Sequence, residues 1–191
     1  SSVGAAITGK GTLDFGTSEG VIAVARPAST TAYPARIDAT IAGSGGLTVA
    51  GAFGITYSAL TLTGANTYTG GTRISCAAVR PAHEKAFGEG TVEVVGSAAN
   101  GGQICFAHPI TLSNPLKISG NGINSFGLYH TDMNGGALWF LAETTVAGPV
   151  EIVGKARVGS RLNKLSADGT GVICDGKIIS GGERLTSAQG C

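Results

Sequence analysis

One stretch of the chain constrains its fold more than any other, the segment from Leu60 to Ile74 with the sequence LTLTGANTYTGGTRI. Its first four residues alternate leucine with threonine, which places the leucines on one side of an extended strand and the threonines on the other. Small residues follow, and Thr72, Arg73 and Ile74 then resume the alternation. The segment therefore predicts two short strands joined by a compact corner.

The corner combines residues that turn the backbone with residues that can satisfy it. Asn66, Gly70 and Gly71 tolerate left-handed backbone angles, so we expect them to turn the chain. The hydroxyl groups of the neighbouring threonines are predicted to bond backbone groups that a sharp corner leaves without partners. These threonines are Thr67, Thr69 and Thr72.

The contiguous sequence of residues 64–72, GANTYTGGT, resembles the core of the autotransporter-associated β-strand repeat. In that family a leucine and threonine strand runs into a Gly-x-Asn-Thr-Tyr-Thr-Gly-x-Thr corner. The resemblance implies a segment of right-handed parallel β-helix in a secreted or surface-displayed bacterial protein. It also implies a scaffold rather than a catalyst. The matching corner positions are Gly64, Asn66, Thr67, Tyr68, Thr69, Gly70 and Thr72.

The composition favours short strands and corners over helices. Charged residues make up 13% of the 191 residues and glycine accounts for 32 of them, whereas average proteins have about 25% charged residues and about 7% glycine. Long helices require the opposite composition. The composition therefore predicts an all-β fold of short strands with corners rich in Gly, Asn and Thr, and the repeat resemblance implies that these form a right-handed parallel β-helix. Residues 1–191 would form this single domain.

The dimensions of such a fold follow from its repeat. Coils of about 20 residues would stack about nine levels high, at about 4.8 Å per level. Strands at irregular intervals of about 8–14 residues also fit a β-sandwich. Asp175-Gly176 between two apolar runs is a signal for a hairpin, but a β-helix corner accommodates the same dipeptide. The repeat resemblance favours the β-helix, and with it the corner.

Three segments stand out from the regular pattern. Residues 77–87 are bulkier and more charged than the corresponding part of the repeat family, so a loop insertion is expected there. Residues 183–191 are expected to form a C-terminal tail. The segment Ala137–Leu141 is the most continuously apolar strand candidate, which predicts a strand covered on both faces.

Four cysteines leave two interpretations open. None forms a C-x-x-C pair, so zinc knuckles and thioredoxin-type redox motifs lack their usual signature. In an exported protein the four cysteines permit three intramolecular disulfide pairings. Free cysteines are also commonly buried as small apolar residues, which is the other interpretation. Cys76 and Cys105 could lie on neighbouring coils, and Cys191 could reach Cys174 or another molecule. The possible disulfide residues are Cys76, Cys105, Cys174 and Cys191.

A catalytic site has little support in the sequence. Some β-helices cleave acidic polysaccharides, and such sites need clustered carboxylates, or carboxylates beside a base. The best pair is His130 and Asp132, which lie on the same side of an extended segment without a nearby nucleophile. We therefore predict no enzymatic activity, cofactor or metal site, with polysaccharide cleavage as an alternative. The isolated acidic residues are Asp14, Asp38, Asp132, Glu143, Glu151 and Asp175.

The charge pattern limits the partners that the chain can have. A formal net charge of +1 with scattered basic residues gives no electrostatic footprint for nucleic acid or an anionic membrane. No apolar run approaches the ~20 residues of a membrane span. These observations leave a structural or adhesive protein as the favoured interpretation, and the repeat resemblance implies that it is secreted or displayed on a bacterial cell surface.

Self-association is the expected mode of action. The two ends of a β-helix expose strands without partners, and each end can accept another coil. Such head-to-tail contacts propagate into filaments unless the rotation closes a ring. We therefore predict a subunit that stacks end to end, or alternatively a passenger fragment of a larger autotransporter-like adhesin. A host or matrix glycan or protein is a further candidate partner.

Overall fold

The computed structural model describes residues 5–24, 35–51, 59–96, 101–123, 136–160, 173–174, 178–180 and 185–189. Within these ranges the chain forms strands and no helix, so no helix there could cross a membrane. The strands are β1 (Ala6–Ile7), β2 (Thr12–Asp14), β3 (Gly20–Val24), β4 (Ala35–Ile37), β5 (Thr40–Ala42), β6 (Leu47–Gly51), β7 (Ala59–Leu62), β8 (Thr72–Ser75), β9 (Ala78–Pro81), β10 (Val92–Val95), β11 (Gln103–Phe106), β12 (Thr111–Leu112), β13 (Leu116–Gly120), β14 (Leu138–Phe140), β15 (Thr145–Val146), β16 (Val150–Ser160), β17 (Ile173–Cys174), β18 (Ile178–Ser180) and β19 (Leu185–Gln189).

The strands stack on three sides, and the chain passes through the sides in the same order in each coil. Side 1 contains β1, β4, β7, β9, β11, β14, the second half of β16 and β19. Side 2 contains β3, β6, β8, β10, β13, the first half of β16 and β18. Side 3 contains β2 with β5, and β12 with β15 and β17. Every ladder between these strands is parallel.

This arrangement confirms the predicted parallel β-helix and contradicts the sandwich alternative, which requires antiparallel ladders. The coils differ in length, however. Ala59 pairs with Ala78, 19 residues further along the chain, whereas Ile104 pairs with Leu138, 34 residues further along. Longer coils mean fewer levels, so side 1 is eight strands deep in the described part of the chain rather than nine. Eight strands span about 34 Å.

The interior is filled by side chains that stack level upon level. On side 1 the inward residues of successive coils include Ile37, Leu62, Phe106 and Phe140, each at most 4% exposed. The rings of Phe106 and Phe140 stack with centroids 4.7 Å apart and planes 13° apart. This distance equals the spacing of neighbouring strands, so parallel register alone places identical side chains in contact. Burial of each phenylalanine contributes about 1.5–3 kcal/mol.

The predicted loop insertion at residues 77–87 differs from what forms there. Its first part is the regular strand β9, which pairs with β7 on one side and β11 on the other. Only residues 84–87 make a turn, and that turn buries Ala86 and Phe87 in the core. The sequence analysis missed β9 because it took the bulky and charged residues of this segment as evidence of a loop, although Arg80 alternates with the buried Val79 and Pro81.

The predicted C-terminal tail also differs from the structure. Leu185–Gln189 forms β19, which continues side 1 by pairing in parallel with residues 156–160 of β16. The last coil therefore includes residues that the sequence pattern assigned to a tail. Polar residues such as Thr186 and Gln189 removed the apolar signal on which the strand prediction depended.

Two other predictions are confirmed. In β14, Leu138 and Phe140 point into the core, and the outward Trp139 is also buried at 5% exposure, so this strand is covered on both faces. The strands that flank Asp175-Gly176 do not form a hairpin. β17 pairs with β15 and β18 pairs with β16, both in parallel, as expected for strands on either side of a corner.

Candidate functional site

The corner of the third coil is an extended segment on side 3 rather than an irregular loop. Asn66 and Tyr68 point inward and are each 1% exposed, whereas Thr67 and Thr69 are exposed. The backbone N–H groups of the two threonines donate to carbonyl oxygens of the preceding coil, over 2.9 Å to Ile41 and 3.2 Å to Gly43. The alternation that predicts a strand thus continues through the corner.

Asn66 joins three coils through its buried side chain. Its Oδ1 accepts a hydrogen bond of 2.7 Å from the backbone N–H of Ile41 in the preceding coil. Its Nδ2 donates one of 2.6 Å to the carbonyl oxygen of Ala86 in the following coil. Both backbone groups would otherwise be buried without a partner, at a cost of about 1–3 kcal/mol each. The amide therefore fixes the register of the coils on both sides.

Tyr68 and Thr72 form a second buried chain of hydrogen bonds. The Thr72 hydroxyl donates to the carbonyl oxygen of Phe87 over 3.3 Å, so the Tyr68 hydroxyl donates to Thr72 Oγ1. Burial raises the pKa of the Tyr68 phenol because the core does not solvate a phenolate, and the bond to Thr72 offsets this only in part.

The glycines of the corner serve close approach more than backbone turning. A Cβ at Gly70 would lie 2.3 Å from the backbone nitrogen of Gly46, and one at Gly64 would lie 2.5 Å from the carbonyl oxygen of Ala39. The prediction of left-handed angles holds only for Gly71, whose φ is 82°. It is wrong for Asn66 and Gly70, because the segment stays extended and contacts its neighbouring coils directly.

The predicted role of the threonines is confirmed for Thr72, which bonds the backbone of the next coil. A related residue was missed by sequence analysis. Asn114, 8% exposed, donates from Nδ2 to the carbonyl oxygens of Gly88 and Gly90, over 3.2 and 3.0 Å. In the fifth coil it therefore bonds the preceding coil, whereas Asn66 bonds the coils on both sides of the third. Its Asn-Pro context indicated only a turn.

Comparison of the chain with protein-family models, with curated proteins and with solved structures yields no match. Its function must therefore follow from its own geometry. In the corner of the third coil, the buried polar groups of Asn66, Tyr68 and Thr72 bond to other parts of the chain. Such a site holds coils together.

Neither of the two described cysteine side chains forms a disulfide. Cys76 is half-buried and Cys105 is fully buried, and both are free thiols. The two do not pair because Cys76 follows β8 on side 2 while Cys105 lies in β11 on side 1. Burial raises the pKa of the Cys105 thiol, with a smaller opposing effect of Arg80. The side chain of Cys174 and the whole of Cys191 lie outside the described residues.

Among the described residues, the acidic side chains considered for catalysis occur in surface pairs and corners. Asp38 accepts hydrogen bonds from Arg36 and Thr63, and Asp14 accepts one from the backbone of Gly16. No group of three metal-ligating side chains occurs among the residues that the structure describes. His130 and Asp132, the pair singled out from the sequence, lie outside the described residues, as does Asp175.

Sequence analysis missed a column of charged side chains on the outside of side 2. Register places Arg73 beside Glu93, Glu93 beside Lys117, and Lys117 beside Glu151. Ion pairs join Arg73 to Glu93, and Lys117 to Glu151 at 3.2 Å. The four side chains are 44–50% exposed. We call these four residues the charged column.

The two ends of the described stack resemble each other. At one end the outer edges of β1, β2 and β3 have no partner strand among the described residues, and at the other end the same is true of β19, β17 and β18. The first coil also exposes part of the core, because Ile7 is 48% exposed while its register partner Ile37 is 4% exposed. Each side of the described stack thus has an open strand edge at both ends.

Proposed function

We propose that the protein is a structural or adhesive scaffold without enzymatic activity, secreted or displayed on a bacterial surface, whose molecules stack end to end. The observation that carries this proposal is the matching of the two ends. Sides 1, 2 and 3 end in β1, β3 and β2 at one end, and in β19, β18 and β17 at the other. The resemblance of the corner at residues 64–72 to the autotransporter-associated repeat supports the location.

Stacking gives every open strand edge a partner of the same direction. Unpaired edges of parallel strands are templates for further pairing, and a second copy offers the same three-sided arrangement of edges. The contact is heterologous, so it leaves one open end on each molecule and propagates into a filament. Coverage of the half-exposed Ile7 would add apolar burial to the backbone hydrogen bonds.

Concentration-dependent assembly tests the proposal. We expect the wild-type chain to form species larger than dimers in sedimentation velocity, and elongated particles in electron micrographs. Ile7→Glu places a charge in the end contact and should abolish elongation. Thr67→Glu is the matched control, because Thr67 is also exposed but lies on side 3 of the third coil, away from the first coil and from the charged column. Equal assembly of the two variants, or a wild type that never exceeds a dimer, would contradict the proposal.

A passenger segment of a longer adhesin is the second candidate. The same half-exposed first coil favours it, because coils of the same polypeptide would cover β1, β2 and β3 as well as a second molecule would. A reading frame that continues past Cys191 with further repeats of the GANTYTGGT kind would support this candidate. A stop codon directly after Cys191 would remove continuation beyond the last coil.

A further inference from the structure

The charges of the charged column alternate in sign, so two copies of the column that run in opposite directions are complementary to each other. Along the stack the charges run positive, negative, positive, negative at Arg73, Glu93, Lys117 and Glu151. A second column that runs in the opposite direction presents negative, positive, negative, positive. Every charge then faces one of opposite sign.

The geometry of side 2 permits such a face-to-face contact. Neighbouring strands lie about 4.8 Å apart, so the four charges span about 14 Å, and two copies have the same spacing. The outward residues two positions further along β8, β10, β13 and β16 are Ser75, Val95, Ser119 and Val153, all of which have shorter side chains than the charged residues. The charged column is therefore a ridge beside a low surface, which a partner can approach closely.

Side 1 does not offer an equivalent surface. Its outward positions in the third, fifth and sixth coils are Thr61, Cys105 and Trp139, which are 8%, 0% and 5% exposed, and Arg80 in the fourth coil is half-buried. These positions are already covered within the molecule. In contrast, each member of the charged column keeps about half of its side chain in contact with solvent. Of these two sides, side 2 is thus the one that presents a continuous row of exposed charges.

We propose that side 2 binds side 2 of a second copy of this chain, around a two-fold axis parallel to the strands. Arg73 of each copy then lies opposite Glu151 of the other, and Glu93 lies opposite Lys117. An axis parallel to the stack would instead place like charges opposite each other, which is unfavourable. The contact is lateral and uses different residues from the end-to-end stacking proposed above, so either can exist without the other.

The intramolecular ion pairs are compatible with the intermolecular ones. A carboxylate accepts about four hydrogen bonds, and Arg and Lys side chains carry five and three donor hydrogens. The pairs Arg73–Glu93 and Lys117–Glu151 therefore orient the column and leave capacity for a partner. In the dimer the eight charges form one network, which is a more effective arrangement than isolated surface pairs.

Charge swaps that keep the intramolecular pairs test the proposal. Swapping the first pair, Arg73→Glu with Glu93→Arg, changes the order to negative, positive, positive, negative at unchanged net charge. Swapping the second pair, Lys117→Glu with Glu151→Lys, gives positive, negative, negative, positive. Each swap alone sets like charges opposite each other in the two-fold contact. Both swaps together restore the self-complementary order, and the two single-swap variants are complementary to each other.

The association is measured by sedimentation equilibrium in the Ile7→Glu background, with thermal unfolding as the control for folding. We expect the Ile7→Glu chain, called the parent, to form a dimer. The dissociation constant of this dimer should rise about tenfold or more in each single-swap variant and return to the parent value in the double swap. A mixture of the two single-swap variants should form a heterodimer. The parent dimer should also weaken as sodium chloride rises from 0.05 to 0.5 M, because salt screens exposed charges.

Three results would overturn the proposal: a monomeric parent at every concentration, equal association of the parent and both single-swap variants, or dimers that are insensitive to salt. Failure of one swap to fold leaves the other swap and the salt series to decide. Loss of filaments in Ile7→Glu with a retained dimer separates the two contacts. Filaments without lateral pairs, seen in the chain with native Ile7, would reject the lateral contact alone.

Discussion

Thr72 and Arg73 are neighbours in β8, yet they belong to two different kinds of contact between coils. Thr72 points inward and bonds Phe87 in a network that also includes Tyr68, all buried. Arg73 points outward, where it pairs with Glu93 at about half exposure. Both contacts cross the same boundary between the third and fourth coils.

The two kinds of contact differ in whether water can take the place of a lost partner. A backbone group left unpaired inside the stack costs about 1–3 kcal/mol because water cannot reach it. A charge outside loses little when its partner is removed, and exposed ion pairs contribute about 0–1 kcal/mol. The inner contacts therefore determine the stability of the stack, while the outer charges remain available for recognition of a partner.

The largest expected effect is at Asn66. Asn66→Ala leaves the N–H of Ile41 and the carbonyl oxygen of Ala86 buried without this partner, so the free energy of unfolding should fall by about 2–4 kcal/mol. Thr67→Ala, at the exposed neighbouring position, is the control and should change it by less than about 0.5 kcal/mol. Urea unfolding measures both. Similar values for the two variants would show that the inner network does not support the stack.

The next effect concerns the close approach of two coils. Gly70→Ala introduces a Cβ 2.3 Å from the backbone of Gly46, which overpacks the stack and should cost about 1–3 kcal/mol. Gly11→Ala is the matched control, because its Cβ would meet nothing within 4 Å. Thermal unfolding should separate the two variants clearly. Tolerance of alanine at both positions would contradict the observed contact between the coils.

A smaller effect at neutral pH, with a distinct dependence on pH, is expected at Tyr68. Tyr68→Phe removes one buried hydrogen bond and should cost about 0.5–1.5 kcal/mol. The raised pKa of Tyr68 means that the folded state disfavours the phenolate. Its contribution is therefore fully present below about pH 10 and declines at about 1.4 kcal/mol per pH unit as the pH rises beyond that value.

The raised pKa of Cys105 adds a decline in the same direction from about pH 9. Unfolding free energies between pH 8 and pH 11 should thus fall less steeply in Tyr68→Phe than in the wild type above pH 10. Cys105→Ala should flatten the curve at lower pH instead. Parallel curves for all three proteins would show that neither buried group is linked to folding.

The smallest effect is expected outside. Glu93→Ala removes the partner of Arg73, and the free energy of unfolding should change by less than about 1 kcal/mol, and still less in high salt. Arg73→Ala and the double variant complete a mutant cycle for the pair. A loss as large as that of Asn66→Ala would abolish the distinction between inner and outer contacts.

The strands and corners could be predicted from the sequence because each depends on a short local pattern. Alternation at Leu60–Leu62 and the apolar run at Ala137–Leu141 each predict a strand locally. Glycines of the corner predict tight geometry, although the physical reason for Gly70 is contact with the coil beneath it, which only the stacked structure reveals. Local patterns therefore gave the elements but not their neighbours.

The register could not be predicted from the sequence. Members of the charged column are separated by 20, 24 and 34 residues along the chain, so no fixed period brings them together. The irregular length of the coils also prevented a prediction of the contact between Asn114 and the fourth coil, because its partners Gly90 and Gly88 are 24 and 26 residues away. β9 was missed for a different reason, since the charge of Arg80 outweighed the buried residues on either side of it.

Fibre diffraction from the wild-type protein at high concentration tests the proposed end-to-end stacking most directly. Coils that stack across molecules as they do within one predict oriented filaments with a reflection at about 4.8 Å parallel to the filament axis. The variant Ile7→Glu should give no such filaments under the same conditions. Filaments whose strands run along the axis, or a wild type confined to particles of one or two copies, would contradict end-to-end stacking.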